Sequence, residues 1–452
     1  MKNPKNSVER TVSRRSFLNS AALASLGVAA SSTLLSACAG GSSGAPAGGG
    51  GGGGKGSGSV TWASWVATPG EVGLLKKFSS DYQEKTKVKT TYQTVTGDYL
   101  AKMLTQLQGG KAPDAFYADP AWLNKFVDTK QVMDLEPYLT SADAPVKFDD
   151  FFPGLVAWAK GADGKGVYGL PVDCNPSVFW FNKKLLSDAG VTQDPASAFE
   201  AGAWNLDAVT DLLAKVKATG RRGMVFEASW GQLFSWVTSL GGKAFDDAGK
   251  AIFDTDPKAQ QAIEWLFDQM GSGTIAYGGS LPKGQGVDAL FYGGQLATVP
   301  GYGRWLLPNL KKLKGKVEYD IAPYPSEDGK TVGPVAVYTA AMAVNAKASN
   351  ADAARAFAGY YVSPDGVKAR LAGGGNAVPV LSGLEEIVTE NNDPPHGKWF
   401  IDIAKNGYAL PNAMARDAKK NTDFPLQMDT LLKSKKESPK SFSTKLANLL
   451  NG

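Results

Sequence analysis

Few side chains in this chain could do covalent chemistry. Its 452 residues include two cysteines, Cys38 and Cys174, and one histidine, His396. A disulfide framework needs more thiols, and a cysteine- or histidine-based metal site needs more ligands, so no metal and no cofactor are expected. A Ser–His–Asp mechanism would rest on His396 alone. That residue lies in Asp393-Pro394-Pro395-His396-Gly397, the pattern of an exposed turn. A secreted glycoside hydrolase needs two carboxylates flanking one bond, and no motif singles out such a pair. What remains is non-covalent recognition. Of eleven tryptophans, Trp62, Trp65, Trp230, Trp305 and Trp399 fall outside helical phase. They could stack on flat apolar ligand faces or fill the core. Trp158, Trp236 and Trp265 read as core. Asp119, Asp173, Asn175, Glu227, Tyr302, Arg304, Tyr338, Asn376 and Arg416 could hydrogen-bond the hydroxyls of a sugar, or serve structural and solvated roles. An anionic ligand would want clustered Arg or Lys, for which only Arg304 and Arg416 are suited. Cys174 reads as a buried small residue. The glycines at 293–294 and 373–375 lack the Lys-Ser/Thr of a phosphate loop.

Cys38 has a different chemistry. A basic polar stretch ends in Ser13-Arg14-Arg15-Ser16-Phe17-Leu18, and an apolar run of small residues follows to about Ala30. The run is too short to span a bilayer and reads as a targeting segment. Leu35-Ser36-Ala37-Cys38 resembles a bacterial lipobox, in which the cysteine sulfur takes a diacylglycerol and becomes the new N-terminus. The arginine pair resembles a twin-arginine export signal, although Asn19 stands where Lys is usual, so the export route stays open. An ordinary cleaved signal with an incidental cysteine is the alternative. Residues 38–59 are rich in Gly and Ser and form a flexible tether, with a reach on the order of 25 Å. The formal net charge is +5, but residues 1–37 hold five basic groups and one acid, so most of the excess leaves with the leader. The body has no broad positive field, and nucleic acid is not expected as a partner.

The elements that would position these groups alternate. Strand patterns at 60–65, 87–95, 113–117, 178–181 and 335–344 interleave with helical patterns at 71–85, 98–108, 205–219, 258–270 and 351–362. Alternation of this kind predicts an α/β fold with mostly parallel sheets, with ligand groups at the strand C-terminal ends. Hydrophobic residues at 43% and charged residues at 20% are ordinary for a globular body, and the length asks for two lobes.

Five ordered segments resemble one family. They are Tyr168-Gly169-Leu170-Pro171-Val172-Asp173 with Val178-Phe179-Trp180-Phe181-Asn182-Lys183; Trp204-Asn205-Leu206-Asp207; Phe291-Tyr292-Gly293-Gly294-Gln295; Ala351 to Phe357 with Ser363-Pro364-Asp365-Gly366; and Pro411-Asn412-Ala413-Met414. Together they are similar to the extracellular solute-binding proteins of ABC importers, the sugar-binding group. The resemblance implies a two-lobed periplasmic-binding-protein-like fold with an interlobe hinge and a ligand cleft. By position, lobe 1 is 60–172 with 337–376, and lobe 2 is 175–334 with 379–452. Crossings fall at 171–175, 333–337 and 373–380, or these are ordinary loops. It further implies a monomeric binder with no enzyme activity. The binder is lipid-anchored on the extracytoplasmic face of the membrane and hands a carbohydrate to permease subunits. A non-sugar solute, the hydrolase and an adhesive lipoprotein are the competing readings.

Overall fold

The structure is a computed structural model that describes residues 58–65 and 69–452. The leader, Cys38 and the tether up to residue 57 lie outside the described residues. Among the described residues ten strands occur in chain order: β1 (Ser59–Trp65), β2 (Lys89–Val95), β3 (Ala115–Ala118), β4 (Leu170–Pro176), β5 (Val178–Asn182), β6 (Met224–Phe226), β7 (Ile275–Tyr277), β8 (Thr298–Tyr302), β9 (Tyr319–Ala322) and β10 (Val337–Val344). One sheet has the order β2-β1-β3-β10-β4, a second β8-β5-β9, and β6 pairs with β7.

The expectation of mostly parallel sheets is corrected. In the first sheet β2, β1 and β3 pair in parallel, but β10 is inserted antiparallel between β3 and β4. In the second, β5 runs antiparallel to both neighbours. The cause is the path of the chain. Only Ser177 separates β4 in the first sheet from β5 in the second. A strand entering the second sheet therefore runs away from the junction, while β8 and β9 run towards it. By the same logic β10, which enters from the side of the second sheet, runs away from the junction and opposes β3 and β4, which run towards it.

Local chemistry explains the motifs. Asn205 caps the Leu206–Ala218 helix by accepting from the Ala208 N–H, and the buried Trp204 donates to the Pro323 carbonyl. Ser363 caps the Pro364–Leu371 helix through the Gly366 N–H, with Pro364 in the first turn where it forfeits no hydrogen bond. Asp98 and Asn350 cap the Tyr99–Gln108 and Ala351–Val362 helices in the same way. Trp158, Trp180 and Trp236 are fully buried. Trp265 packs against Trp236 at 4.9 Å and donates to the Thr210 hydroxyl.

Trp62 is a correction. It has no exposed surface; its ring lies 4.5 Å from Tyr92, 5.2 Å from Tyr361 and 5.5 Å from Phe357, and its indole N–H donates to the Ser79 hydroxyl at 2.9 Å. Residues 60, 62 and 64 of β1 share the face covered by the Pro69–Thr86 and Ala351–Val362 helices, so alternation sends this ring into the core.

Candidate ligand cleft

Strand ends from all three sheets converge near the point where the chain passes from the first to the second. β6 ends at Phe226, and the next residues, Glu227 to Trp230, lead into the Trp230–Ser239 helix. β8 ends at Tyr302, followed by the short 3₁₀ turn Arg304–Leu306. β10 places Tyr338 opposite Asn175 of β4. These three segments build one aromatic group. The Tyr338 ring lies 5.5 Å from Trp230 and 5.7 Å from Trp305, and Trp305 lies 5.9 Å from Tyr302. All four rings are half-buried, so each keeps surface for a ligand.

Polar groups rim this platform. The Tyr302 hydroxyl donates to Glu227 Oε2 at 2.7 Å, and the Ser229 and Tyr338 hydroxyls lie 3.3 Å apart. Asn175 Oδ1 and Thr339 Oγ1 are buried and have no hydrogen-bond partner. Burial pushes the Tyr338 phenol up to about 12, with the nearby Glu227 charge adding to the rise. Two glycines make the packing possible. A β-carbon on Gly231 would overlap the Tyr338 hydroxyl, and one on Gly303 would strike Asn175 and Trp305.

The first sheet contributes a second aromatic group. Trp65, at the end of β1, meets Tyr117 at 5.1 Å and Tyr99 at 5.5 Å, and Tyr99 stacks on Trp122. Asp119 caps the Pro120–Asp128 helix through the Ala121 N–H; burial raises its carboxyl, and that hydrogen bond opposes the rise. Asp173 accepts from Arg370 Nη1 at 3.1 Å. Burial raises the Asp173 carboxyl as well, against the charge of Arg370.

Other candidates take different positions. Arg304 is 1% exposed and is corrected as a ligand contact. Its guanidinium points away from solvent and donates to the carbonyls of Ala377 and Ile387. Burial lowers it to about 10. Trp399 stacks on His396 at 4.4 Å and meets Phe199 edge-on. Asn376 is half-buried one residue before the Arg304 contact at Ala377. Arg416 is exposed and reaches the Gly161 carbonyl at 3.3 Å. His396 hydrogen-bonds the buried Asp320 at 2.9 Å and is half-buried, where an exposed turn is expected from its prolines. The Cys174 thiol is buried and burial pushes it up, as befits a small core residue.

Sequence reasoning missed Trp122, Tyr99, Tyr117 and Arg370. A signal for Trp122 exists: Asp119-Pro120 after a short apolar strand marks a helix start, and first turns at strand C-terminal ends face the ligand side. Arg370 carries none, because a basic residue on an amphipathic helix reads as solvated. Among the described residues no group of three or more His, Cys, Asp or Glu could hold a metal, and no helix is long and apolar enough to cross a membrane. Two recesses, of about 470 Å³ beside Lys311 and Tyr319 and about 200 Å³ beside Asn205 and Lys258, belong to other surfaces of the fold.

Comparison with known proteins agrees with this architecture. The chain is similar to an ABC substrate-binding protein of Listeria monocytogenes solved with cycloalternan, with a TM-score of 0.71, 20% identity, and coverage of 87% of this chain and 98% of that one. A cyclic α-maltosyl-1,6-maltose binding protein of Arthrobacter globiformis gives 0.69, 19%, 87% and 98%. Among curated sequences, a probable amino-acid ABC transporter periplasmic-binding protein of Sinorhizobium fredii is 25% identical over 333 residues, covering 68% of this chain and 70% of that one. A family model described as bacterial extracellular solute-binding protein matches residues 67–368. The fold is thus the two-lobed periplasmic-binding-protein fold, and the chain belongs to the bacterial extracellular solute-binding proteins of ABC transporters.

Proposed function

We propose that this protein captures a neutral carbohydrate between its lobes and delivers it to an ABC permease, as a monomer without turnover of its own. The observation that carries the reading is the platform of Trp230, Tyr302, Trp305 and Tyr338, rimmed by Glu227, Ser229 and Asn175. Rings offer the apolar faces that a pyranose covers, and the rim offers hydrogen-bond partners for its hydroxyls. Trp65, Trp122, Asp119 and Asp173 supply the opposing wall. Structurally similar binding proteins were solved in complex with cycloalternan, bound with tagatose and bound with maltose, which supports the same class.

The lobe limits 60–172 with 337–376 and 175–334 with 379–452 are supported by sheet membership, since β1 to β4 and β10 share one sheet and β5, β8 and β9 another. Asn376, Trp399 and Arg416 stay in the proposal as contacts from the C-terminal segments. Extracytoplasmic location follows from the family. Anchoring through a lipid on Cys38 is supported by the lipobox-like Leu35-Ser36-Ala37-Cys38 and the tether behind it. Mass spectrometry of the mature N-terminus tests it: an unmodified or uncleaved Cys38 removes the anchor.

The amino-acid relative favours a second reading, capture of a zwitterion. That ligand needs a free cation and a free anion facing each other. Arg370 and Asp173 are such a pair but engage one another. Calorimetry with maltose, maltotetraose, cycloalternan and an amino-acid panel decides. Heat from an amino acid and none from any sugar would replace the carbohydrate assignment.

A further inference from the structure

We propose that two buried arginines, Arg304 and Arg370, are positioning residues that clamp the interlobe crossings and so hold the two ligand walls in register; this rests on the reading of a ligand cleft between the lobes. Arg370 sits on the Pro364–Leu371 helix of the first lobe. Its Nη2 donates to the Val172 carbonyl at 2.6 Å and its Nη1 to Asp173 at 3.1 Å, both on β4 just before the chain crosses. Its guanidinium lies 4.1 Å over the Tyr361 ring, whose hydroxyl meets that of Tyr117 at 2.5 Å. Arg304 sits on the other wall, next in sequence to Trp305. It donates to Ala377 at 2.9 Å and to Ile387 at 2.8 Å. Ala377 immediately precedes Val378, which bridges to Cys174 of β4.

The two sites share a chemistry. Both arginines are almost wholly enclosed, at 1% and 6% exposure, and in both the Nε–H is buried without a partner. An unmet buried donor is destabilising, and an apolar side chain of similar volume would remove that cost. What Met or Leu cannot supply is a rigid planar fork that fixes two oxygens at once. Both oxygens held by Arg370 belong to the crossing at 171–175, and one of the two held by Arg304, that of Ala377, belongs to the crossing at 373–380. The remaining crossing is held differently: Ser235 Oγ accepts from the Ala336 N–H, and Thr238 Oγ1 donates to the Pro334 carbonyl. Between these clamps lie only the short stretches 174–177, 336–337 and 378–380, themselves joined by the Cys174–Val378 bridge and by the bond from the Ser177 N–H to the Ala336 carbonyl. Bending confined to so few residues returns the walls to one relative position, and it sets the orientation of Trp305 and Asp173 directly.

The test uses the full chain with Arg304→Met, Arg370→Met and the corresponding Lys variants. Spin labels at the exposed Lys125→Cys and Lys250→Cys, in a Cys38→Ser background, report interlobe distances without any ligand. Maltotetraose is the probe for affinity by calorimetry. Each Met variant is expected to broaden the interlobe distance distribution and to weaken maltotetraose binding roughly ten- to hundredfold, with a melting point at or near wild type. Lys keeps charge and length but loses the fork, so it does not rescue. Distributions as narrow as wild type overturn the proposal, as does an affinity loss that only tracks a fall in melting point. Where a Met variant fails to fold, the Lys variant decides by the same readouts. If wild type binds no maltotetraose, the sugar of the calorimetric panel that does bind takes its place as probe, and binding of none of them removes the carbohydrate reading while the distance measurement still judges the clamps.

Discussion

Trp305 and Trp62 differ in what surrounds them, and exchanging each for alanine separates ligand contact from core. Trp305 is half-buried, packed at 5.7 Å on Tyr338 and 5.9 Å on Tyr302, with part of its ring free. A sugar face covering some 50 Å² of that ring removes apolar surface worth about 1.3 kcal/mol at ~25 cal/mol per Å². Stacking geometry adds about 0.5–1.5 kcal/mol. Trp305→Ala is therefore expected to weaken sugar binding by roughly 2–3 kcal/mol, about 30- to 150-fold. Trp62 is wholly enclosed, touches Tyr92, Tyr117, Phe357 and Tyr361, and donates to Ser79. Trp62→Ala leaves a cavity and removes the hydrogen bond that the Ser79 hydroxyl accepts, and is expected to cost about 3–5 kcal/mol of stability. Thermal melting and calorimetry on both variants give the answer. Trp305→Ala should keep its melting point within about 2 °C and lose affinity. Trp62→Ala should melt on the order of 5–10 °C lower, with near-native affinity in the folded fraction. The reverse pattern, a stable Trp62→Ala that no longer binds, would refute the placement of the cleft.

Further outcomes follow from the same geometry. Gly231→Ala drives a β-carbon into the Tyr338 hydroxyl and should cost about 1–3 kcal/mol of stability while weakening ligand capture, measured by melting and calorimetry. Tyr302→Phe removes the donor to Glu227 at 2.7 Å and should lower sugar affinity by about 1 kcal/mol; unchanged affinity takes this pair out of the rim. Burial holds Tyr82 and Tyr338 up to about 12, and an unfolded tyrosine ionises near pH 10, so the folded state binds more protons between these values. The stability they support is complete below about pH 10 and is lost as pH rises through 12, with a slope of up to about 1.4 kcal/mol per pH unit for each residue. Denaturant melts across pH 9–12 check this, and Tyr82→Phe should flatten the slope.

Much of the fold was legible because its elements are strongly periodic. The expected strand at 60–65 and helices at 205–219, 258–270 and 351–362 fall within two residues of Ser59–Trp65, Leu206–Ala218, Pro257–Ser272 and Ala351–Val362. Direction was not legible. Nothing in the residues of β10 says that it enters from the other lobe, so its antiparallel insertion between β3 and β4 escapes any local pattern. The ordered motifs were informative for a reason other than ligand contact. Asn205, Trp204, Ser363 and Pro364 cap helices and anchor their ends, so they report the fold. The candidate site was legible where a residue stands at the end of a strand that faces the junction: Glu227 follows β6, Tyr302 closes β8 and Tyr338 is the second residue of β10. Trp62 lies on the covered face of β1, which alternation alone would have shown. Arg304 was misread because a guanidinium beside an aromatic in a loop has the same sequence signature whether it faces solvent or a pair of carbonyls.

Tyr338 shows why the position of the site matters to its use. Its backbone belongs to the first sheet, paired with β4 through Asn175. Its ring packs between Trp230 and Trp305 of the second lobe. A ligand stacked on Trp305 and bonded towards Asp173 therefore presses on the segments that cross between the lobes, not on either lobe alone. Differential affinity for the closed arrangement is what lets a solute shift such an equilibrium. Displacement on closure grows with distance from the hinge, so a ring on the crossing strands keeps its place against the ligand in both arrangements, and groups nearer the lobe edges supply most of the difference between them. Tyr338→Phe probes this directly. Loss of the hydroxyl beside Ser229 leaves the ring area unchanged, so a wild-type affinity with a slower ligand-induced closure in stopped-flow fluorescence would assign the hydroxyl to the movement, and a lower affinity at unchanged closure rate would assign it to the bound solute.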